Sequence, residues 1–205
     1  MTTAIKYPNG QTLVSSALSP ADVAAALQII TCGMLGINPP NDKLVRIDWQ
    51  TTGQPSVAAP NSDVCYLACQ PFDTEYSRVR DRRLGGTDAA TETWAYTKGW
   101  RVSWTAYGPS AEDHLRAVKS ALFMDYFTDR LEAVKLFPLP DAPEVVRVPE
   151  LVNAQWFERA DFHCDMYEAV TETIQYSVVT SAEIKVYDGD IGQVADVTST
   201  PVKEL

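Results

Sequence analysis

A sustained two-residue alternation from Ala154 to Tyr176 constrains the fold of this chain more than any other feature. Its even-numbered positions are mostly apolar, as at Trp156, Phe162 and Ile174, and its odd-numbered positions are mostly polar. A period of two predicts an antiparallel strand with one face toward a core and the other toward solvent. Because strands usually have about 5–6 residues, this pattern predicts a bent, bulged or protruding strand that reaches beyond one subunit.

Three glutamates, Glu158, Glu168 and Glu172, interrupt the apolar face of this stretch. A carboxylate is costly to bury without a partner. The interruptions therefore indicate a strand that leaves the core part-way and is completed by another chain.

The remaining elements follow from helix-start signals and apolar periodicity. Ser19-Pro20-Ala21-Asp22 predicts a helix start with a capping box, and Gly33 and Gly36 predict its end. Gly99 suggests a bulge in an alternating run, and Ser110 with Asp113 predicts a second capped start. The predicted elements are strands at Leu44–Gln50, Val64–Gln70, Glu92–Tyr107, Val134–Phe137, Val145–Val148 and Ser181–Tyr187, and a second helix at Ser110–Phe127.

This order of elements predicts the α+β class. We expect a mostly antiparallel β-sheet with two α-helices packed on one face and a long protruding β-hairpin. The expected organisation is an N-terminal arm at residues 1–18, a single domain at 19–188 and a C-terminal tail at 189–205.

Composition limits the classes of partner. The net charge of −10 argues against sequence-independent binding to nucleic acid, although it leaves room for a local basic patch. No apolar run approaches the roughly 20 residues that span a bilayer, and the N-terminus lacks the features of a signal peptide. We therefore predict no membrane partner. The four cysteines have no zinc-site spacing, and we predict free, mostly buried thiols.

Three stretches carry a resemblance to a known family. Residues 100–108 (WRVSWTAYG) run directly into the predicted helix Ser110–Phe127, residues 145–151 precede the long strand, and residues 156–162 (WFERADF) begin it with an aromatic-x-x-Arg-Ala-Asp pattern. In these stretches, and in element order over residues 20–187, the chain resembles bacteriophage tail-terminator and neck (head–tail completion) proteins.

The resemblance implies a structural virion protein with no catalytic activity and no cofactor. It implies a homo-oligomeric ring, expected to be a hexamer, that terminates the tail tube. The implied partners are the tail-tube protein and a head-proximal connector or adaptor protein, with genomic DNA passing through the lumen. The implied location is the neck of the virion, after assembly in the cytoplasm of the bacterial host.

A group of arginines stands out in the polar connection at residues 72–91. Arg78, Arg80, Arg82 and Arg83 lie close to two glycines and predict a mobile cationic loop. This loop has three interpretations: a contact with a partner protein, a contact of Arg80, Arg82 and Arg83 with DNA phosphates, or a solvated loop balanced by nearby acids.

Alternation also places Asp161, His163 and Asp165 on one strand face, beside Arg159. A carboxylate–imidazole–carboxylate set suits a divalent metal or a general base. Metal sites usually take ligands from more than one element. We therefore predict no metal, and assign these residues, with Trp156, to a subunit or partner interface.

Two other functional classes stay open at this point. The tryptophans at 94, 100 and 104 share a strand face that could form a small-molecule or carbohydrate-binding platform, although a core stripe is the simpler interpretation. A metal-dependent enzyme built on Asp161, His163 and Asp165 is the second.

Overall fold

The computed structural model describes residues 3–8, 11–39, 43–47, 61–85, 90–152, 154–176, 183–188 and 192–198. Within these ranges the fold is α+β with a mostly antiparallel sheet, as predicted, and it has four helices where the sequence predicts two. The strands are β1 (Thr3–Lys6), β2 (Thr12–Ser15), β3 (Val45–Ile47), β4 (Val64–Phe72), β5 (Asp81–Gly85), β6 (Ala90–Tyr107), β7 (Leu136–Pro138), β8 (Val146–Arg147), β9 (Glu150–Val152), β10 (Gln155–Phe157), β11 (Arg159–Tyr176), β12 (Glu183–Asp188) and β13 (Gly192–Thr198); the helices are α1 (Pro20–Met34), α2 (Glu75–Arg78), α3 (Ala111–Leu122) and α4 (Asp125–Ala133).

Two strands of 18 residues each, β6 and β11, form the centre of the main sheet. They pair in one antiparallel register from Tyr107 opposite Arg159 to Ala90 opposite Tyr176. The sheet has the order β1-β2-β11-β6-β4-β3, with β5 added to β6 and with β7 and β8 added to β11. Only β3 and β4 are parallel among the described pairs. The predicted long strand is therefore confirmed, and its partner is β6, whereas β12 pairs with β13.

One half of the two long strands, residues 99–107 and 159–167, lies under the helices. Its even-numbered side chains form a single buried cluster with apolar side chains of α1, α3 and α4. Trp104 and Phe162 stack directly across the two strands, with their ring centroids 5.4 Å apart. The tryptophan stripe is thus part of the core in this half. We call this part the core half.

The other half, residues 90–98 and 168–176, is flanked by strands on both sides. β5 pairs with β6, and β2 pairs with β11 and carries β1. We call this five-stranded part the extension. The division into an arm, a domain and a tail stays a prediction, although the hairpin β1–β2 lies inside the predicted arm.

Helix α1 begins as the sequence predicts. The Ser19 hydroxyl accepts a hydrogen bond from the backbone N–H of Asp22, and the Asp22 carboxylate accepts one from the backbone N–H of Ser19. The helix ends before Gly36, whose φ of +69° lies in the left-handed region that glycine adopts without strain.

The predicted second helix was wrong in two respects. It is divided into α3 and α4 at Phe123 and Met124, and this division places the ring of Phe127 against Gly33. The Ser110 side chain makes no capping hydrogen bond. Instead, the carboxylate of Asp63 accepts a hydrogen bond of 2.9 Å from the backbone N–H of Ser110.

The predicted loop at residues 72–91 was also wrong, because β4 continues to Phe72 and is followed by α2 and β5. The predicted bulge at Gly99 is absent, since the register between β6 and β11 continues through it. A Cβ at this position would lie 2.9 Å from the Phe72 ring. Two predicted strands extend into residues 48–50 and 181–182, which lie outside the described residues.

Candidate functional site

The core half of the sheet has a polar face on the side opposite the helices. Its side chains come from odd-numbered positions of β6 and β11, because directly opposed residues share a face. We call this surface the open face; its residues are Arg101, Ser103, Thr105, Tyr107, Arg159, Asp161, His163 and Asp165.

Arg101 and Asp165 are directly opposed on the open face and form a bidentate ion pair. The Arg101 Nε and Nη2 atoms lie 2.8 and 2.9 Å from the two carboxylate oxygens. Hydrogen bonding from Arg101 holds the pKa of Asp165 below its usual value. The Asp165 carboxylate is therefore charged at neutral pH and already paired within the subunit.

A second polar network joins the open face to β9. Arg159 donates to both carboxylate oxygens of Asp161, at 3.0 and 2.9 Å, and to Glu150 at 3.2 Å. The hydroxyl of Tyr107 donates to Glu150 at 2.8 Å. This bond lowers the pKa of Glu150, and burial together with the same bond raises the pKa of Tyr107 to about 12. The network fixes the base of the hairpin formed by β9 and β10.

These pairings bear on the metal hypothesis. Asp161, His163 and Asp165 do share one strand face, but each carboxylate is held by an arginine. The imidazole of His163 is exposed. In the part of the chain that the structure describes, no three His, Cys, Asp or Glu side chains are grouped closely enough to hold a metal ion. The arrangement is a polar strip of ion pairs.

The hairpin β9–β10 presents apolar side chains to solvent. Trp156 and Leu151 are directly opposed, and 69% and 55% of their surfaces are exposed. Val146 and Val148, which come just before the hairpin, are also exposed. Exposed tryptophans are frequent anchors of protein interfaces. We call Trp156, Leu151, Val146 and Val148 the apolar hairpin patch.

The structure places the four predicted arginines on and beside the edge strand β5, where each guanidinium has a neighbour within the subunit. Three of the four guanidinium groups pair with carboxylates, which neutralise most of the positive charge of this arginine group. A phosphate group would have to displace these partners. Arg78 pairs with Asp73 (2.6 Å), Arg83 with Asp81 (3.0 Å) and Arg82 with Glu92, and Arg80 lies 4.9 Å from the centre of the Tyr96 ring.

In the core half, the tryptophan-rich strand face does not form a ligand platform. Trp100 and Trp104 are 0% and 1% exposed, whereas Trp94, in the extension, is half-buried. Their indole N–H groups donate to Glu168 at 2.7 Å and to Thr31 at 3.0 Å. The alternative of a carbohydrate-binding module on this face therefore loses its basis.

The cysteines follow the prediction for thiols. All four lie outside disulfide bonds, and Cys32, Cys65 and Cys164 are buried. Burial raises the pKa of Cys65 to about 12 and that of Cys164 to about 11. The thiolate, the reactive form, is therefore scarce at neutral pH.

A second exposed apolar cluster was not predicted from the sequence. Phe123, Met124 and Tyr126 lie at the corner between α3 and α4, each exposed by more than two fifths. In the sequence these residues extend the apolar stripe of the preceding helix. The signal that could have found them is the width of that stripe, since consecutive large apolar residues cannot all face one core.

Most of this chain matches a known family of phage proteins. The family model for the phage neck terminator protein matches residues 21–196. The chain belongs to the phage neck terminator family. The predicted resemblance is thus confirmed, and membership makes the protein a structural protein of the phage neck that acts together with other neck or tail proteins. A search of curated proteins finds no match.

None of the helices in the described ranges combines the length and the apolar content needed to cross a membrane.

Proposed function

We propose that this neck terminator forms a closed homo-oligomeric ring, with six subunits as the expected number, that ends the tail tube and joins it to the connector on the head side. The observation that carries the proposal is the family match over residues 21–196. The protein acts by assembly in the host cytoplasm and then resides in the virion neck, without catalysis or a cofactor.

Ring closure requires two different patches on each subunit, because a cyclic arrangement uses heterologous contacts. The apolar hairpin patch is one candidate, since its aromatic side chain, Trp156, is 69% exposed. The open face beside it supplies hydrogen-bonding groups from Arg159, Asp161, His163 and Asp165 for the polar rim of an interface.

The arginines around β5 belong to the same proposal. Arg82 and Arg83 lie on β5 in the extension, and Arg78 and Arg80 lie at the end of α2 and in the connection from α2 to β5; we place all four at a contact with a neighbouring subunit or tail protein. Their existing partners favour this role over DNA binding. Genomic DNA passes through the lumen, where Arg80, Arg82 and Arg83 are the remaining candidates for phosphate contact.

The test is the mass of the purified protein across a concentration series, with negative-stain imaging, alone and with purified tail tubes. We expect rings of the wild-type protein, and we expect Trp156→Ala to weaken self-association by about 30-fold or more, the scale for an interface anchor. Tyr126→Ala, on α4 and outside these proposed contacts, removes another exposed aromatic side chain; it is the matched control and leaves the rings intact. A protein that stays monomeric both alone and with tail tubes would refute the ring.

A further inference from the structure

The segment between hairpin β1–β2 and helix α1 is held by a buried polar cluster. The backbone N–H of Leu18 donates to Oε1 of Glu168 at 2.6 Å, and the backbone C=O of Leu18 accepts from Nζ of Lys98 at 3.1 Å. Both polar backbone groups of this one linker residue are thus bound by side chains of the two central strands.

The two side chains that hold Leu18 are themselves fixed. Glu168 is 0% exposed, and its Oε2 accepts the indole N–H of Trp100 at 2.7 Å. Nζ of Lys98 lies 4.0 Å from the same Oε2 and 4.2 Å from the centre of the Trp100 ring. A carboxylate without solvent is stable only when donors and a counter-charge surround it. Here Leu18 provides one of those donors.

The hairpin itself has few other attachments. Strand β2 pairs with β11 over four residues, from Ser15 opposite Glu172 to Thr12 opposite Gln175, and Ser16 adds two hydrogen bonds with Thr171. Strand β1 is exposed along its whole length and, among the described strands, pairs only with β2. Large apolar side chains of the hairpin, such as Ile5, remain partly in solvent. A unit with little apolar burial has a low free energy of local opening.

We propose that Glu168 and Lys98 form a latch on Leu18 that keeps hairpin β1–β2 docked on β11. When the latch opens, the hairpin detaches as a unit while the core half stays folded, because the apolar side chains of α1 lie beyond the linker. Detachment frees the edge of β11 at residues 172–175.

The substitution Glu168→Gln tests the latch at one atom. The two carboxylate oxygens each receive an N–H group, one from Leu18 and one from Trp100. A glutamine side chain has only one oxygen acceptor, because its other terminal group is NH₂. In either orientation of the amide, the NH₂ group therefore faces the N–H of Leu18 or of Trp100 and cannot accept it. The substitution retains the size of the side chain, costs one of the two N–H bonds and removes the charge that attracts Lys98, so it weakens the latch.

The experiment is amide hydrogen exchange by mass spectrometry on the full chain. In Glu168→Gln we expect exchange at residues 12–18 to rise at least about tenfold, as the loss of a hydrogen bond to a charged group implies. Exchange at residues 100–106 and 160–166 stays within about twofold, since these amides open only with the core. Lys98→Met leaves both N–H bonds to Glu168 in place but removes its counter-charge and the bond to the Leu18 carbonyl, and it also raises exchange at residues 12–18.

The matched control is Glu158→Gln, an exposed carboxylate paired with Arg147. It leaves exchange at residues 12–18 unchanged. Two results would overturn the latch: unchanged exchange at residues 12–18 in both Glu168→Gln and Lys98→Met, or an equal rise there and in the core half, which would make Glu168 a general stabiliser of the fold.

Discussion

The buried hydrogen bond between Trp104 and Thr31 makes a quantitative prediction about stability. The indole N–H of Trp104, on β6, donates to Oγ1 of Thr31, on α1, at 3.0 Å. Thr31 is 0% exposed and Trp104 1% exposed, so water cannot replace either partner. The substitution Thr31→Val keeps the shape of the side chain and leaves the indole N–H without an acceptor.

The expected loss follows from two opposing terms. An unsatisfied buried donor costs roughly 1–3 kcal/mol, and exchanging the hydroxyl for a buried methyl group returns about 0.8 kcal/mol. We therefore expect Thr31→Val to lower the free energy of unfolding by about 0.2–2.2 kcal/mol. For a domain of this size each kcal/mol corresponds to roughly 2–4 °C in the melting temperature.

The assay is urea unfolding followed by far-ultraviolet circular dichroism, in a double-mutant cycle with Trp104→Phe. Phenylalanine has no N–H group, so in that background Thr31→Val is expected to cost nothing or to stabilise slightly. Thr128→Val, whose hydroxyl bonds a carbonyl of its own helix near the surface, is the matched control. If Thr31→Val costs as much beside phenylalanine as beside tryptophan, the hydrogen bond is not the cause.

Two more substitutions test the sheet. Gly99→Ala places a Cβ 2.9 Å from the Phe72 ring, and we expect this overpacking to lower the free energy of unfolding by about 1–3 kcal/mol. Gly85→Ala has open space around it and changes the free energy of unfolding by no more than about 0.5 kcal/mol in the same urea assay. Equal effects of the two substitutions would contradict a role for the contact with Phe72. Arg101 lowers the folded-state pKa of Asp165, so the stability from this pair is present at neutral pH and is lost as the pH falls below about 4 through that lowered pKa. Asp165→Asn should therefore flatten the fall of the urea midpoint between about pH 5 and pH 3, and an unchanged slope would count against the ion pair.

The sequence predicts the elements whose signals are local. Helix α1 is marked by Ser19, Pro20 and Asp22, and β11 by an alternation that its own residues carry. Strand β5 could not be found in this way, because all five of its residues are exposed and none marks a buried face. It forms a strand because its backbone pairs with the edge of β6.

The candidate site also has a part that local sequence patterns predict and a part that depends on pairing with a distant strand. Alternation correctly puts Arg159, Asp161, His163 and Asp165 on one face of β11. It cannot show that Arg101, 64 residues earlier, lies opposite Asp165, since that depends on the register of β6. The ion pair between Arg82 and Glu92 could not be predicted for the same reason, since it forms only when β5 and β6 pair.

The two long strands have a mechanical consequence. At about 3.4 Å per residue, β6 and β11 each span roughly 60 Å without a break in register. Helices α1, α3 and α4 pack on one end of the pair formed by β6 and β11, and the other end belongs to the extension. A load applied at the tip of the extension is therefore carried into the packed core by the covalent backbones of two strands whose hydrogen bonds resist their sliding past each other.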